Sequence, residues 1–322
     1  MAASAIDACL ADGFRHGVWQ PTTAASHLAC SNLTYVNTTC LPAAPLAAAP
    51  LCEALGGGGP LLMVGDSLLL KTWEALLQTL RLKKYDTEDC AQPTSKPAAS
   101  RRARCQCCCK AFSIPCAGGK SVRVRFVRHN HLLGSFLPHG GAVCSAACKN
   151  DADESTAPCL SCRRTLGART LCDTWREPHT LAHAATLVLG TGSHLLEVPG
   201  HNASRLFARR ADELAMLLAA HNLRRVVFVA SSWGEGKHHS HYSGPNAPEP
   251  PASTYAWERI PAVNAEYARA MRERGYVVVD PSLAMQQRQD CRLDFMHSKP
   301  GVYAQATWRM LTAAFARLPP RK

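Results

Sequence analysis

The sequence has no run of about 18 apolar residues, so it offers no obvious helical segment for crossing a bilayer. Its opening residues, Met1-Ala2-Ala3-Ser4-Ala5-Ile6, lack the basic stretch and apolar core of a secretory signal peptide. Charged residues are few, 19%, and aromatic residues only 7%, against 47% apolar residues; that balance describes a globular chain and excludes a disordered polyelectrolyte. Nor is there a nucleic-acid-binding motif or a basic face interleaved with aromatics, so the net charge of +12 does not point to nucleic acid. The charge permits acidic partners such as uronate-bearing glycans or anionic membrane. In a chain this rich in Ala, Arg, Pro and Gly it also follows from GC-rich coding.

Cysteine is not scarce. Sixteen cysteines in 322 residues accompany three Asn-x-Ser/Thr sequons, at Asn32, Asn37 and Asn202. A dense, even cysteine set with sequons favours an oxidising, secretory compartment and disulfides. With no leader visible, the expectation is a targeting segment upstream of Met1. A rival reading exists for part of the set: Cys144-x₃-Cys148 followed by Cys159-x₂-Cys162 approximates a four-thiolate zinc site. His238, His239 and His241 could also hold a metal, or form a solvated loop.

Residues 1–58 lack helix or strand periodicity and hold Cys9, Cys30, Cys40 and Cys52. They are expected to form a disulfide-tied segment wrapping a main domain at 59–322. Within that domain five short apolar runs predict strands: Leu61 to Val64, Ser121 to Val127, Ala184 to Leu189, Val226 to Val229 and Tyr276 to Val279. Amphipathic helices are expected after the first run, at about 203–222, at 260–274 and at about 302–316. Cysteine-rich insertions at about 88–120 and 139–175 interrupt the pattern, and both read as irregular. Alternating strands and helices predict an α/β fold whose mainly parallel five-stranded sheet is covered on both faces. Such sheets place their chemistry beyond the carboxyl ends of the strands.

The polar clusters fall there. Gly65-Asp66-Ser67 lies where the first strand passes into a helix with Leu69, Trp73, Leu76, Leu77 and Leu80 on one face. A serine at such a turn presents its hydroxyl beside backbone N–H groups at a helix N-terminus, as acyl transfer requires. The alternative is that Asp66 or Ser67 merely caps the helix. Far downstream, Asp294-Phe295-Met296-His297 spaces a carboxylate and an imidazole so that one can orient the other. Ser67, Asp294 and His297 together make a candidate nucleophile, orienting group and general base. Asn130 and Gly190-Thr191-Gly192-Ser193-His194 end two further strands.

Several stretches carry a resemblance. Asp12-Gly13 with Trp19, the block Leu62 to Leu68 followed by Trp73-Glu74, the block Val124 to Leu132, and Asp294-Phe295-Met296-His297 followed by Pro300-Gly301 and Trp308 resemble the plant trichome-birefringence-like family. That family comprises polysaccharide O-acetyltransferases, in the PC-esterase branch of the SGNH/GDSL hydrolases. The resemblance implies a three-layer α/β/α sandwich and triad roles for Ser67, Asp294 and His297. It also implies a glycan or polysaccharide acceptor, an acetyl donor (acetyl-CoA or an acetyl ester), and a Golgi-lumenal catalytic domain whose membrane anchor is not in this sequence. No metal or organic cofactor is needed by this chemistry.

The sequence departs from that pattern at Gly190, where the family commonly has Asn before Thr-Gly. An amide that could serve the oxyanion is thereby lost. Asn130, or backbone N–H groups near Gly65, Asp66, Ser67 and Gly192, are the expected substitutes. Two other readings follow: a carbohydrate acetylesterase of the same fold, and a glycan-binding protein without catalysis. A zinc-organised interaction module would rest on the cysteines alone.

Overall fold

The computed structural model describes residues 9, 17–21, 33–37, 40–41, 46–56, 59–82, 85–88, 109–128, 132, 181, 184–191, 203–232, 260–291 and 297–319. The strands are β1 (Val18–Pro21), β2 (Leu33–Val36), β3 (Leu61–Gly65), β4 (Asp86–Glu88), β5 (Cys109–Pro115), β6 (Ser121–Arg128), β7 (Thr186–Gly190), β8 (Val226–Val229) and β9 (Val277–Val279). The helices are α1 (Ala48–Ala54), α2 (Ser67–Thr79), α3 (Ala203–Ala220), α4 (Ile260–Glu273), α5 (Ser282–Gln286), α6 (Pro300–Tyr303) and α7 (Arg309–Phe315). A π turn, Ala304–Trp308, joins α6 to α7.

The main sheet has the order β4-β5-β6-β3-β7-β8-β9. All five expected strands are present and run parallel, as β6-β3-β7-β8-β9. The sheet is nonetheless seven-stranded, which corrects the expectation of five. The extra pair, β4 and β5, extends it antiparallel at the β6 edge. Segment 88–120 is therefore not an irregular insertion throughout. Its second half supplies β5 and the turn of a hairpin with β6, turned by Gly118 and Gly119 at φ +68° and +71° and closed by Cys116 N–H donating to Lys120 C=O at 2.9 Å. Only glycine adopts that backbone without strain.

Strand alternation divides the core in two. Leu61, Met63, Val188, Val227, Val229 and Val279 face one layer with Leu69, Trp73 and Leu76 of α2 and Met310, Leu311 and Phe315 of α7. Leu62, Val64, Leu187, Leu189, Phe228 and Val278 face the other, with Leu214 and Leu218 of α3 and Val263, Tyr267 and Met271 of α4. Helices thus cover both faces, which is why the central strands are apolar without a break.

The first 58 residues are more regular than expected. β1 and β2 pair antiparallel in a two-stranded sheet, and α1 follows. Cys9–Cys40 ties this segment to itself and Cys52–Cys116 ties α1 to the end of β5. Tyr35, Leu41 and Leu51 are buried in the same core as α2 and α7. Buried Arg309 donates to Tyr35 C=O, linking β2 to α7. Desolvation pulls that guanidinium down to about 10, still charged at neutral pH. Arg225, at the start of β8, gathers the carbonyls of Ala54, Phe315, Leu318 and Pro319, so one cation satisfies the ends of α1 and α7. Asn37 is only 4% exposed, so the folded chain does not offer that sequon to a glycosylating enzyme. Asn32 and Asn202 lie outside the described residues. Among the described residues no helix is long and apolar enough to cross a membrane.

Candidate active site

The chain leaves β3 toward β6 on one side and later crosses to β7 on the other, so β3 stands where the strand order reverses. A crevice opens at the carboxyl end of such a strand. Here Gly65 pairs with Arg128 of β6 and with Gly190 of β7. The approach to β7 is close: a Cβ on Gly65 would lie 2.2 Å from the Gly190 carbonyl oxygen and 2.8 Å from Leu69 Cδ2. The next residue continues the contact, with Asp66 N–H donating to Gly190 C=O at 3.3 Å.

Asp66 then starts α2. Its backbone is extended, and its Oδ1 accepts from Leu68 N–H at 2.9 Å and Leu69 N–H at 3.4 Å. It is the helix cap, and it is 1% exposed. Because Asp66 does the capping, Ser67 is left as the first helical residue, half-buried, with its hydroxyl on another partner. That partner is His297. Its Nε2 lies 3.0 Å from Ser67 Oγ, across 230 positions of sequence.

The segment bearing His297 is fixed on both sides. Lys299 N–H donates to Cys291 C=O at 2.7 Å, and Ser298 N–H to the Tyr303 hydroxyl at 3.4 Å. Pro300 opens α6, where a missing N–H costs nothing. Trp308, fully buried, donates its indole N–H to Thr72 C=O at 2.5 Å and locks the π turn to α2. Upstream, Trp19 donates to Ala284 C=O at 2.8 Å and stacks under Arg288, whose guanidinium carbon is 5.6 Å from the ring. Arg288 in turn forks onto both carboxylate oxygens of Asp290, at 2.8 and 2.6 Å. That hydrogen bonding holds the Asp290 carboxyl below its ordinary range. None of Trp19, Arg288, Asp290 or Thr72 was singled out as supporting the site from sequence.

Compared with models of known protein families the chain matches none, and it matches no curated protein. The site therefore stands on its own geometry. Of the expected residues, the fold brings together Gly65, Asp66, Ser67, Gly190 and His297 at one strand end. Asp294, Asn130 and Gly192 lie outside the described residues. So do Cys144, Cys148, Cys159 and Cys162, and His238, His239 and His241. Among the described residues no cluster of three or more His, Cys, Asp or Glu could hold a metal ion.

A hydroxyl and an imidazole at hydrogen-bond distance, at a helix N-terminus, are the arrangement that a nucleophile–base pair requires. With the imidazole proton on Nδ1, Nε2 accepts the Ser67 hydroxyl proton. The remaining acceptor-side requirement, an orienting group on Nδ1, is what Asp294 would meet.

Proposed function

We propose that the protein is a serine acyltransferase of the SGNH type: a glycan or polysaccharide O-acetyltransferase working through an acyl-Ser67 intermediate. The observation that supports this reading is the 3.0 Å contact between Ser67 Oγ and His297 Nε2 at the carboxyl end of β3. Ser67 Oγ attacks the carbonyl carbon of an acetyl donor, acetyl-CoA or another acetyl ester, while His297 Nε2 takes the hydroxyl proton. The tetrahedral intermediate collapses as the bond to the leaving group breaks, and the imidazolium returns its proton to that group. A sugar hydroxyl then attacks acetyl-Ser67 and loses its proton to His297. Ser67 Oγ departs and is reprotonated.

Asp294, three residues before His297, is assigned the orienting role. Gly65 and Asp66 shape the turn, while Asn130 and Gly192 remain candidates for contact with the oxyanion or substrate. Gly190, where the sequence departs from the family pattern, offers only backbone there. If water replaces the sugar, the same machinery is an acetylesterase, because the base serves either acceptor equally. Disulfides Cys9–Cys40 and Cys52–Cys116 favour a secretory or Golgi-lumenal setting. No role with nucleic acid is proposed.

The test is intact-protein mass spectrometry after brief exposure to an activated acetyl ester, with Ser67→Ala alongside. One added acetyl group in the native protein and none in the variant supports the reading. Subsequent loss of that group to added oligosaccharide identifies transfer, and loss to water identifies hydrolysis. No adduct and no ester turnover in folded protein, with oligosaccharide still bound, would leave a glycan-binding protein.

A further inference from the structure

Beneath the Asp66–Ser67 turn lies a small cavity, partly open to solvent, with about 20 Å³ of space for the centres of water molecules. Its roof is Asp66, Leu68 and Gly190; its walls include the end of β8 and the π turn. Three of the lining residues share an anomaly. Ser231, Ser232 and Thr307 are 4%, 5% and 0% exposed, and the hydroxyl of each is buried with no hydrogen-bond partner. Buried hydroxyls are ordinarily paired, with protein or with ordered water, because leaving one unpaired forfeits its hydration.

The local backbone does not explain the anomaly away. Ser231 N–H and C=O are both held by the Asn264 amide, at 3.2 and 2.8 Å, so its main chain is satisfied while its hydroxyl is not. Thr307 sits one residue before Trp308, whose bond to Thr72 C=O fixes the π turn. π turns cost helix hydrogen bonds and recur where a side chain must be re-aimed. The charge in the cavity also restricts the guest. Among the described residues its one carboxylate is Asp66, engaged with two backbone N–H groups, and no cationic residue lines the wall. An anion would face Asp66 without a counter-charge. What fits is an uncharged guest that both donates and accepts, and the space suits about one or two water molecules.

We propose that this cavity is a built water site, in which one or two bound waters bridge the hydroxyls of Ser231, Ser232 and Thr307. They couple the end of β8 to the π turn directly under the Asp66–Ser67 turn. The inference stands independently of whether Ser67 is acylated.

Thr307→Val tests it by sign. Valine keeps the shape of threonine and removes the hydroxyl. If the hydroxyl bonds a buried water, the variant loses that bond and strands the water, and Tm falls by about 2–4 °C. If the hydroxyl has no partner, its removal relieves an unpaired group, and Tm rises or stays level, which overturns the proposal. Thr307→Ser, which keeps the hydroxyl, should retain the bound water. Should Thr307→Val fail to fold, the native protein decides alone. High-resolution diffraction should show water within hydrogen-bond distance of the three oxygens; a dry cavity, or density for anything other than water, overturns it.

Discussion

Replacing Gly65 by alanine puts the geometry of the candidate site to a quantitative test. The new Cβ would stand 2.2 Å from Gly190 O, roughly 1 Å short of a tolerable approach. That oxygen belongs to the backbone of β7 and cannot rotate away, so the strands must part. Overpacking of this kind costs about 1–3 kcal/mol. Displacing β7 also weakens the Asp66 N–H to Gly190 C=O bond, a further loss of about 1 kcal/mol. Alanine offsets part of this by restricting the unfolded chain, by about 0.4–1 kcal/mol. The net is about 1–4 kcal/mol, or a fall in Tm of roughly 2–5 °C for a chain of 322 residues. Gly190→Ala is the control on the partner strand. Its Cβ would meet Leu69 Cδ1, Leu69 Cδ2 and Val229 O, each at 3.4 Å, which is ordinary contact. Its Tm should stay within about 1.5 °C of the parent. Thermal unfolding followed by circular dichroism compares the two. A Gly65→Ala variant as stable as Gly190→Ala would refute the claimed close approach of β3 to β7, and with it the reason for glycine at the start of the turn.

Two further outcomes are expected. Removing the Cys52–Cys116 bridge as a double alanine variant frees a loop of 64 residues. The chain-entropy relation gives a loss of up to about 4 kcal/mol, seen as a lower urea midpoint; an unchanged midpoint would mean that this tie does not constrain the unfolded chain. The Arg288–Asp290 fork lowers the folded-state pKa of the carboxyl, so its contribution is present above the unfolded carboxylate pKa and is lost as pH falls through the lowered value. Asp290→Asn should therefore lower stability at neutral pH, by less than about 1 kcal/mol for so exposed a carboxylate, and converge with the parent as pH falls below the ordinary carboxylate range, which flattens the acid limb. A parallel downward shift at all pH values would contradict that assignment.

The parallel strands were legible because each is a short apolar run buried on both faces, and such runs have few competing explanations. β5 was not, although its Phe112 and Ile114 alternate with exposed Ser113 and Pro115. The alternation is brief and sits beside Cys105, Cys107, Cys108 and Cys109, which drew the reading toward an irregular insertion. The usable signal was Gly118-Gly119, a hairpin turn followed by the alternation of β6. At the site, the sequence left open whether Gly-Asp-Ser marks a cap or a nucleophile. The structure gives the cap to Asp66 and leaves the Ser67 hydroxyl beside His297. What no local pattern could reveal is the support from afar. The links of Trp19 to Ala284, Trp308 to Thr72, and Arg225 to four carbonyls depend on tertiary placement, and a tryptophan or arginine in sequence does not announce its partner.

The 230-residue span between Ser67 and His297 has a consequence for synthesis. At ribosomal rates of about 5–20 residues per second, the histidine emerges roughly 10–50 s after the serine. Until α6 and the π turn dock against α2, the nascent chain carries a serine whose imidazole partner has not arrived. A ribosome stalled or terminated before that point releases a protein bearing the Gly-Asp-Ser turn but no imidazole beside it. Any chemistry of Ser67 that depends on His297 is thereby deferred until residue 297 has been made, and a product truncated before it lacks the pair.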